Sequence, residues 1–168
     1  MATLLVFFFT DAAIEGKTLQ SLFHRVVNQT FNSISIDTDT STSDTAFILS
    51  NGLAGEVNVR EFELALEKIA TYLIKKLLKD GEGATKFVTV EVVGAAIESD
   101  ATKVAFEIAH SPLVKTALFA SDPNWGRILA VVGRAGVQGL DVDRVQLHIN
   151  GFEVARDGGR SPDYLEEH

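Results

Sequence analysis

The stretch Met1-Ala2-Thr3-Leu4-Leu5-Val6-Phe7-Phe8-Phe9-Thr10-Asp11 constrains the fold more than any other. Its apolar run, Leu4 to Phe9, is short and rich in phenylalanine, which favours a strand over an amphipathic helix. Continuous apolar runs of this kind form strands buried on both faces, as in parallel sheets. Thr3 then stands at the rim of the core. Two readings of it are open: a residue that simply precedes a core strand, or a nucleophile. A threonine hydroxyl attacks only when a base takes its proton. Cutting the bond between Ala2 and Thr3 would free an α-amine of pKa about 8, attached to the nucleophile's own residue, to act as that base.

At 168 residues, 46% hydrophobic and 23% charged, the chain is expected to form a single globular domain over residues 1–168 with a sizeable core. No apolar stretch reaches the ~18 residues needed to span a bilayer. The first strand also lacks the basic lead-in and small-residue exit of a signal peptide. The expected setting is cytoplasmic, with no membrane partner. There are no cysteines, which excludes disulfides and thiolate chemistry. A net charge of −8 argues against a nucleic-acid partner, because phosphate backbones require a clustered basic surface. Lys75, Lys76 and Lys79 form the main basic cluster and read as the solvated face of a helix.

Two motif fragments fail on spacing. Gly16-Lys17-Thr18 resembles the end of a phosphate-binding loop, but Asp11 occupies the place of the required earlier glycine. Asp37, Asp39 and Ser41 imitate the start of a calcium loop. Thr42 stands where the sharp-turn glycine belongs, and Ile48 where the bidentate glutamate belongs. Neither a metal nor a cofactor is expected.

Along the chain, Leu19, Leu22, Phe23, Val26, Val27, Thr30 and Phe31 recur at helical spacing, predicting a helix over 17–32. Residues Ser35 to Thr45 alternate carboxylates and hydroxyls. That segment is either a surface loop of Asx and Ser/Thr turns or a hydrogen-bonded wall beside a site. An apolar run, Ala46 to Leu49, follows it, and Asn51-Gly52-Leu53-Ala54-Gly55 is expected to turn the chain. Asn58 and Glu61 form a capping pair ahead of a long amphipathic helix over about 59–79. It stops at Asp80-Gly81-Glu82-Gly83-Ala84-Thr85-Lys86. Glu82, between two glycines, is either a solvated residue at a helix stop or a carboxylate presented to a small cation such as a substrate ammonium.

Phe87 to Val93 reads as a strand, and Ala101, Val104, Ala105 and Ile108 as a helix. Ser111-Pro112 and Asp122-Pro123 each set a capping side chain before a first-turn proline, so a helix is expected to begin at each. Lys115, Asn124, Trp125 and Arg127 lie within or near them with no role fixed by the sequence. Residues 144–155 predict a hairpin about Asn150-Gly151, and Ser161-Pro162 opens a further helix. The chain begins at a strand without lead-in and stops soon after Ser161-Pro162, so both ends are expected to be cut. The order of long helices, strands and hairpins predicts an α/β (α+β) layered sandwich of mixed sheets packed with helices.

Several motifs, in order, carry a family resemblance: Met1-Ala2-Thr3-Leu4-Leu5, Thr10-Asp11, the segment Thr30 to Thr45, Asn51-Gly52, Asp80-Gly81-Glu82-Gly83-Ala84-Thr85-Lys86, Ser111-Pro112-Leu113-Val114-Lys115-Thr116-Ala117 and Asp122-Pro123-Asn124-Trp125-Gly126-Arg127. Together they resemble the β chain of ornithine acetyltransferase, the self-cleaving enzyme of the cyclic arginine pathway, over about residues 1–155. The resemblance implies a precursor that cuts itself between Ala2 and Thr3. Thr3 would then take the acetyl group of N-acetylornithine as an ester and pass it to glutamate. Glu82 matches the family's substrate-binding glutamate and would hold the α-amino group. Some members also use acetyl-CoA. The implied partner is the α chain of the same precursor, in an αβ hetero-oligomer. That chain supplies an oxyanion-stabilising Thr-Gly pair, and the family's β chain runs on to further substrate contacts. Loss of one oxyanion donor lowers turnover by ~10²–10³, so the chain alone is expected to be inactive. The alternatives are an N-terminal-nucleophile aminopeptidase of the same superfamily and a catalytically silent structural or interaction fragment.

Overall fold

The computed structural model describes residues 3–164. The chain is of mixed α/β class, as its sequence predicts, and its contacts gather into two compact units, residues 1–87 and 88–168.

The first unit is built on two parallel strands, β1 (Leu5–Ala13) and β2 (Thr45–Glu56), connected through helix α1 (Gly16–Gln29) and a short 3-10 turn at Phe31–Ser33. A second helix, α2 (Val59–Lys79), follows. Parallel strands cannot be joined by a tight turn, so the crossover through α1 follows from their direction. The pairing sets Leu5 opposite Thr45 and Phe9 opposite Leu49. Val6 and Phe8 point into a core with Leu22, Phe23 and Val26 of α1 and Leu66, Ala70 and Ile74 of α2. Phe8 meets Phe23 and Phe31 edge-on at centroid distances of 5.8 and 6.3 Å, a geometry favoured by the ring quadrupoles. Asn58 Oδ1 accepts from the amides of Arg60 and Glu61 and starts α2 at the predicted residue.

Three expectations change here. The run Leu4 to Phe9 is a strand, but only one of its faces is covered: Leu5, Phe7 and Phe9 are exposed. Phe47 and Leu49 of β2 lie on the same bare face, with Phe7 stacked on Phe47 at 5.6 Å. Both helices of the unit pack on the opposite side, which is why half of an all-apolar run stays uncovered. Next, Asn51 to Gly55 do not end β2. The register steps from Thr10 opposite Ser50 to Ala12 opposite Gly55, so these residues form an excursion within one strand. Gly52 and Gly55 take φ of +71° and +80° there, which glycine alone enters without penalty. Finally, Phe87 to Val93 pair with no strand among the described residues. Val90 and Val92 instead pack against the second unit's core, and hydrophobic burial rather than a ladder holds them.

The second unit holds α3 (Glu98–His110), α4 (Pro112–Phe119) and α5 (Trp125–Arg134), then an antiparallel sheet of β3 (Leu147–Ile149), β4 (Phe152–Arg156) and β5 (Gly159–Arg160). Val104, Ile108, Val114, Val131, Val132 and Ala135 form its helical core. Ser111 caps α4 as expected. The helix expected at Asp122-Pro123 begins later, at Trp125, because Asn124 supplies the cap: its Oδ1 accepts from the Arg127 amide at 3.1 Å. Asn150 and Gly151 both have positive φ, the requirement of the two-residue hairpin turn predicted there. At Ser161-Pro162 the described residues show a turn closed by Tyr164 N donating to Ser161 O, and the side chain of Ser161 is engaged by Glu153.

Candidate active site

Thr3 is exposed at the leading end of β1, so its hydroxyl is not sealed in hydrocarbon. The residue after it is held on both sides. Leu4 N donates to Asp44 Oδ1 at 2.7 Å, and Leu4 O accepts from Thr45 N at 2.8 Å. Leu4 itself packs against the core of the first unit. Because β1 and β2 are parallel, their leading ends lie side by side, which brings the polar segment before β2 to Thr3.

That segment is neither a regular element nor a random loop. Asp39 N donates to Asp37 Oδ1 at 3.2 Å, and Ser43 N to Ser41 Oγ at 3.2 Å. Asp44 N donates to Ser41 O at 3.4 Å, and Thr45 Oγ1 to Ser43 O at 3.1 Å. The segment is thus made of Asx and Ser/Thr turns, one of the two sequence readings, and its last residue, Asp44, bonds to the start of β1. The individual role of Asp44 was not legible from its composition. The available signal was symmetry: Asp44-Thr45 precede one apolar strand as Ala2-Thr3 precede the other, and parallel strands put like ends together.

Glu82 is exposed on the turn after α2. Ala84 N donates to Gly81 O at 3.0 Å, and Gly83, in the third position of that turn, has φ +71°, the conformation that type II turns require there. The glycine after Glu82 is thus a backbone requirement, and the carboxylate projects from the turn's second position. Thr3 and Glu82 belong to the same unit; Ala2 lies outside the described residues.

Of the remaining conspicuous side chains, those of Arg127 and Asn124 make structural contacts. Arg127 Nη1 donates to Leu113 O at 2.9 Å and to Thr116 Oγ1 at 3.1 Å, tying α5 to α4. Asn124 is the α5 cap, and Trp125 is the first residue of that helix. Lys115 lies within α4. A groove of about 550 Å³ lies beside these helices, lined by Pro112, Leu113, Asn124, Arg127, Val131 and Arg134 among others. Among the described residues no three His, Cys, Asp or Glu side chains gather to hold a metal ion, and no helix is long and apolar enough to cross a membrane.

Fold and leading-end geometry together define a class: a mixed α/β chain in which a threonine stands at the leading end of a strand packed on two helices, beside a hydroxyl- and carboxylate-rich segment. The chain belongs to the ArgJ family, whose model it matches over residues 1–168. It is 50% identical to the arginine biosynthesis bifunctional protein ArgJ 2 of a Nostoc species over 92% of its length. It is 48% identical to glutamate N-acetyltransferase Oat2 of Streptomyces clavuligerus, again over 92% of its length. The crystal structure of the arginine biosynthesis bifunctional protein ArgJ from Bacillus halodurans superposes with a TM-score of 0.90 at 36% identity, covering 98% of this chain and 79% of that one. The chain spans 42% of the Nostoc relative and 39% of the Streptomyces one.

Proposed function

We propose that this chain is the β-chain part of a self-cleaving cytoplasmic N-acetyltransferase that moves an acetyl group from N-acetylornithine to glutamate in arginine biosynthesis. Cleavage between Ala2 and Thr3 turns the Thr3 nitrogen from an amide, which cannot accept a proton, into an amine that can. The amine takes the proton of Thr3 Oγ1 as that oxygen attacks the acetyl carbonyl. The tetrahedral intermediate collapses with loss of ornithine, whose leaving nitrogen receives the proton, and acetyl-threonine remains. The amine of glutamate then attacks the ester, giving N-acetylglutamate and restoring the hydroxyl. Acetyl-CoA would charge the same oxygen by loss of its thiol. Glu82 is assigned to the unacetylated ammonium of the ornithine-type substrate, for which an exposed carboxylate on a glycine-flanked turn is suited.

The observation that carries this reading is the exposed Thr3 at the tip of a strand whose next residue is hydrogen-bonded on both sides. The bare apolar face of Phe7, Phe9, Phe47 and Leu49 supports a covering partner, assigned here to the α chain of the same precursor in an αβ hetero-oligomer. The α chain would also provide the oxyanion donors, without which the β chain is inactive alone.

The test is Thr3→Ala in the full-length precursor, followed by mass spectrometry of the chain termini and by acetyl transfer from N-acetylornithine to glutamate. Both cleavage and transfer are expected to stop. A variant that still cleaves and turns over removes Thr3 from the reaction.

A further inference from the structure

We propose that Asp44 is a positioning residue for Thr3, an assignment that rests on the nucleophile reading above. Leu5 pairs with Thr45, so Asp44 lies across from Leu4, one step before the backbone ladder takes hold. Its carboxylate, not a main-chain carbonyl, accepts from Leu4 N at 2.7 Å. The distance is typical of a charge-assisted bond to an ionised acceptor. The peptide between Thr3 and Leu4 is planar, so the direction of Leu4 N–H also fixes the Thr3 carbonyl and the Thr3 Cα. Thr45 N, donating to Leu4 O at 2.8 Å, fixes the next peptide plane. With both planes held, the reactive residue keeps only the rotations about its own bonds.

Asp44 is itself held. Its amide donates to Ser41 O at 3.4 Å, and Thr45 Oγ1 returns to Ser43 O at 3.1 Å, so the turn carrying the carboxylate is bonded on both sides of it. Without that carboxylate, Leu4 N–H would turn to water, and the plane bearing Thr3 would lose this anchor. Misplacement of a reacting group by about 1 Å costs on the order of 10²-fold in rate. The same plane adjoins the Ala2–Thr3 bond, so self-cleavage depends on it as well.

The experiment uses the full-length self-cleaving protein with Asp44→Ala, Asp44→Asn, Asp44→Glu and Thr3→Ala side by side. Asp44→Ala removes the acceptor and is expected to slow cleavage and to lower kcat about 10- to 100-fold, with KM for N-acetylornithine within about twofold. Asp44→Asn keeps an acceptor oxygen at the same place and should stay within about threefold of the parent. Asp44→Glu keeps the charge on a longer arm and should resemble Asp44→Ala while retaining the parent's circular dichroism, which covers the case in which the alanine variant does not fold. The proposal falls if Asp44→Ala or Asp44→Glu keeps the parental kcat, if Asp44→Asn is as impaired as Asp44→Ala, or if KM carries the loss. A Thr3→Ala protein that still turns over defeats the nucleophile reading itself. A silent Thr3→Ala beside a parental Asp44→Ala defeats only the role given to Asp44.

Discussion

Phe8 and Phe9 are adjacent in sequence, identical in chemistry and opposite in surroundings, so replacing each by a smaller residue tests the covering of β1 directly. Phe8 is 8% exposed and touches the rings of Phe23 and Phe31. Phe8→Ala forfeits the transfer of the ring from water and leaves a cavity between α1 and the sheet, which together cost about 3–5 kcal/mol. Phe9 is 77% exposed. Roughly a quarter of its surface, on the order of 50 Å², is covered, so Phe9→Ser should cost only about 1 kcal/mol at ~25 cal/mol per Å². In urea unfolding of the isolated chain, followed by circular dichroism, a slope of about 2 kcal/mol per M turns the first loss into a midpoint about 2 M lower and the second into about 0.5 M. Equal losses from the two substitutions would refute the assignment of buried and bare faces. The contrast should shrink in the full-length protein, where a partner over the bare face would make Phe9→Ser costly too.

Three further outcomes are expected. Glu82→Gln in the complete enzyme should raise KM for ornithine-type substrates with a smaller effect on kcat, and steady-state kinetics with unchanged KM would contradict the ammonium contact. Asn58→Ala removes the oxygen that accepts from Arg60 N and Glu61 N, and should cost about 1 kcal/mol in a urea titration. The amides of Lys17 and Thr18, with the Thr18 hydroxyl, hold the Glu15 carboxyl below its ordinary 4.5. Its folded pKa is depressed, so its contribution is present above the unfolded value and is lost as pH falls through the folded one. NMR of the carboxyl carbon should therefore show a titration midpoint below that of a free glutamate, and Glu15→Gln should abolish this part of the acid sensitivity of α1.

The sequence spoke clearly wherever local chemistry decides the outcome. The start of α2 at Asn58, the turn at Asn150-Gly151 and the α4 cap at Ser111 were legible because each depends on one side chain beside one backbone geometry. Covering of β1 was not legible, because an all-apolar strand has the same composition whether one or both of its faces are packed. The excursion at Asn51 to Gly55 has the composition of a strand end, since glycines with positive φ serve equally in a turn and in a bulge. Within the candidate site, Thr3 and Glu82 could be singled out from motif context. Asp44 could not, because its partner, the Leu4 amide, lies forty residues away and becomes a neighbour only through parallel pairing.

A parallel strand with a threonine at its tip also behaves as a ruler. Sliding β1 by two residues along β2 would return each phenylalanine to its own side of the sheet, yet would carry Thr3 about 6.6 Å along the strand axis. Hydrophobic alternation alone does not forbid that slide, whereas the step between Thr10 and Ala12 does, because the excursion of β2 has a single place to sit. The irregularity at the far end of the strand thereby sets the location of the hydroxyl at the near end.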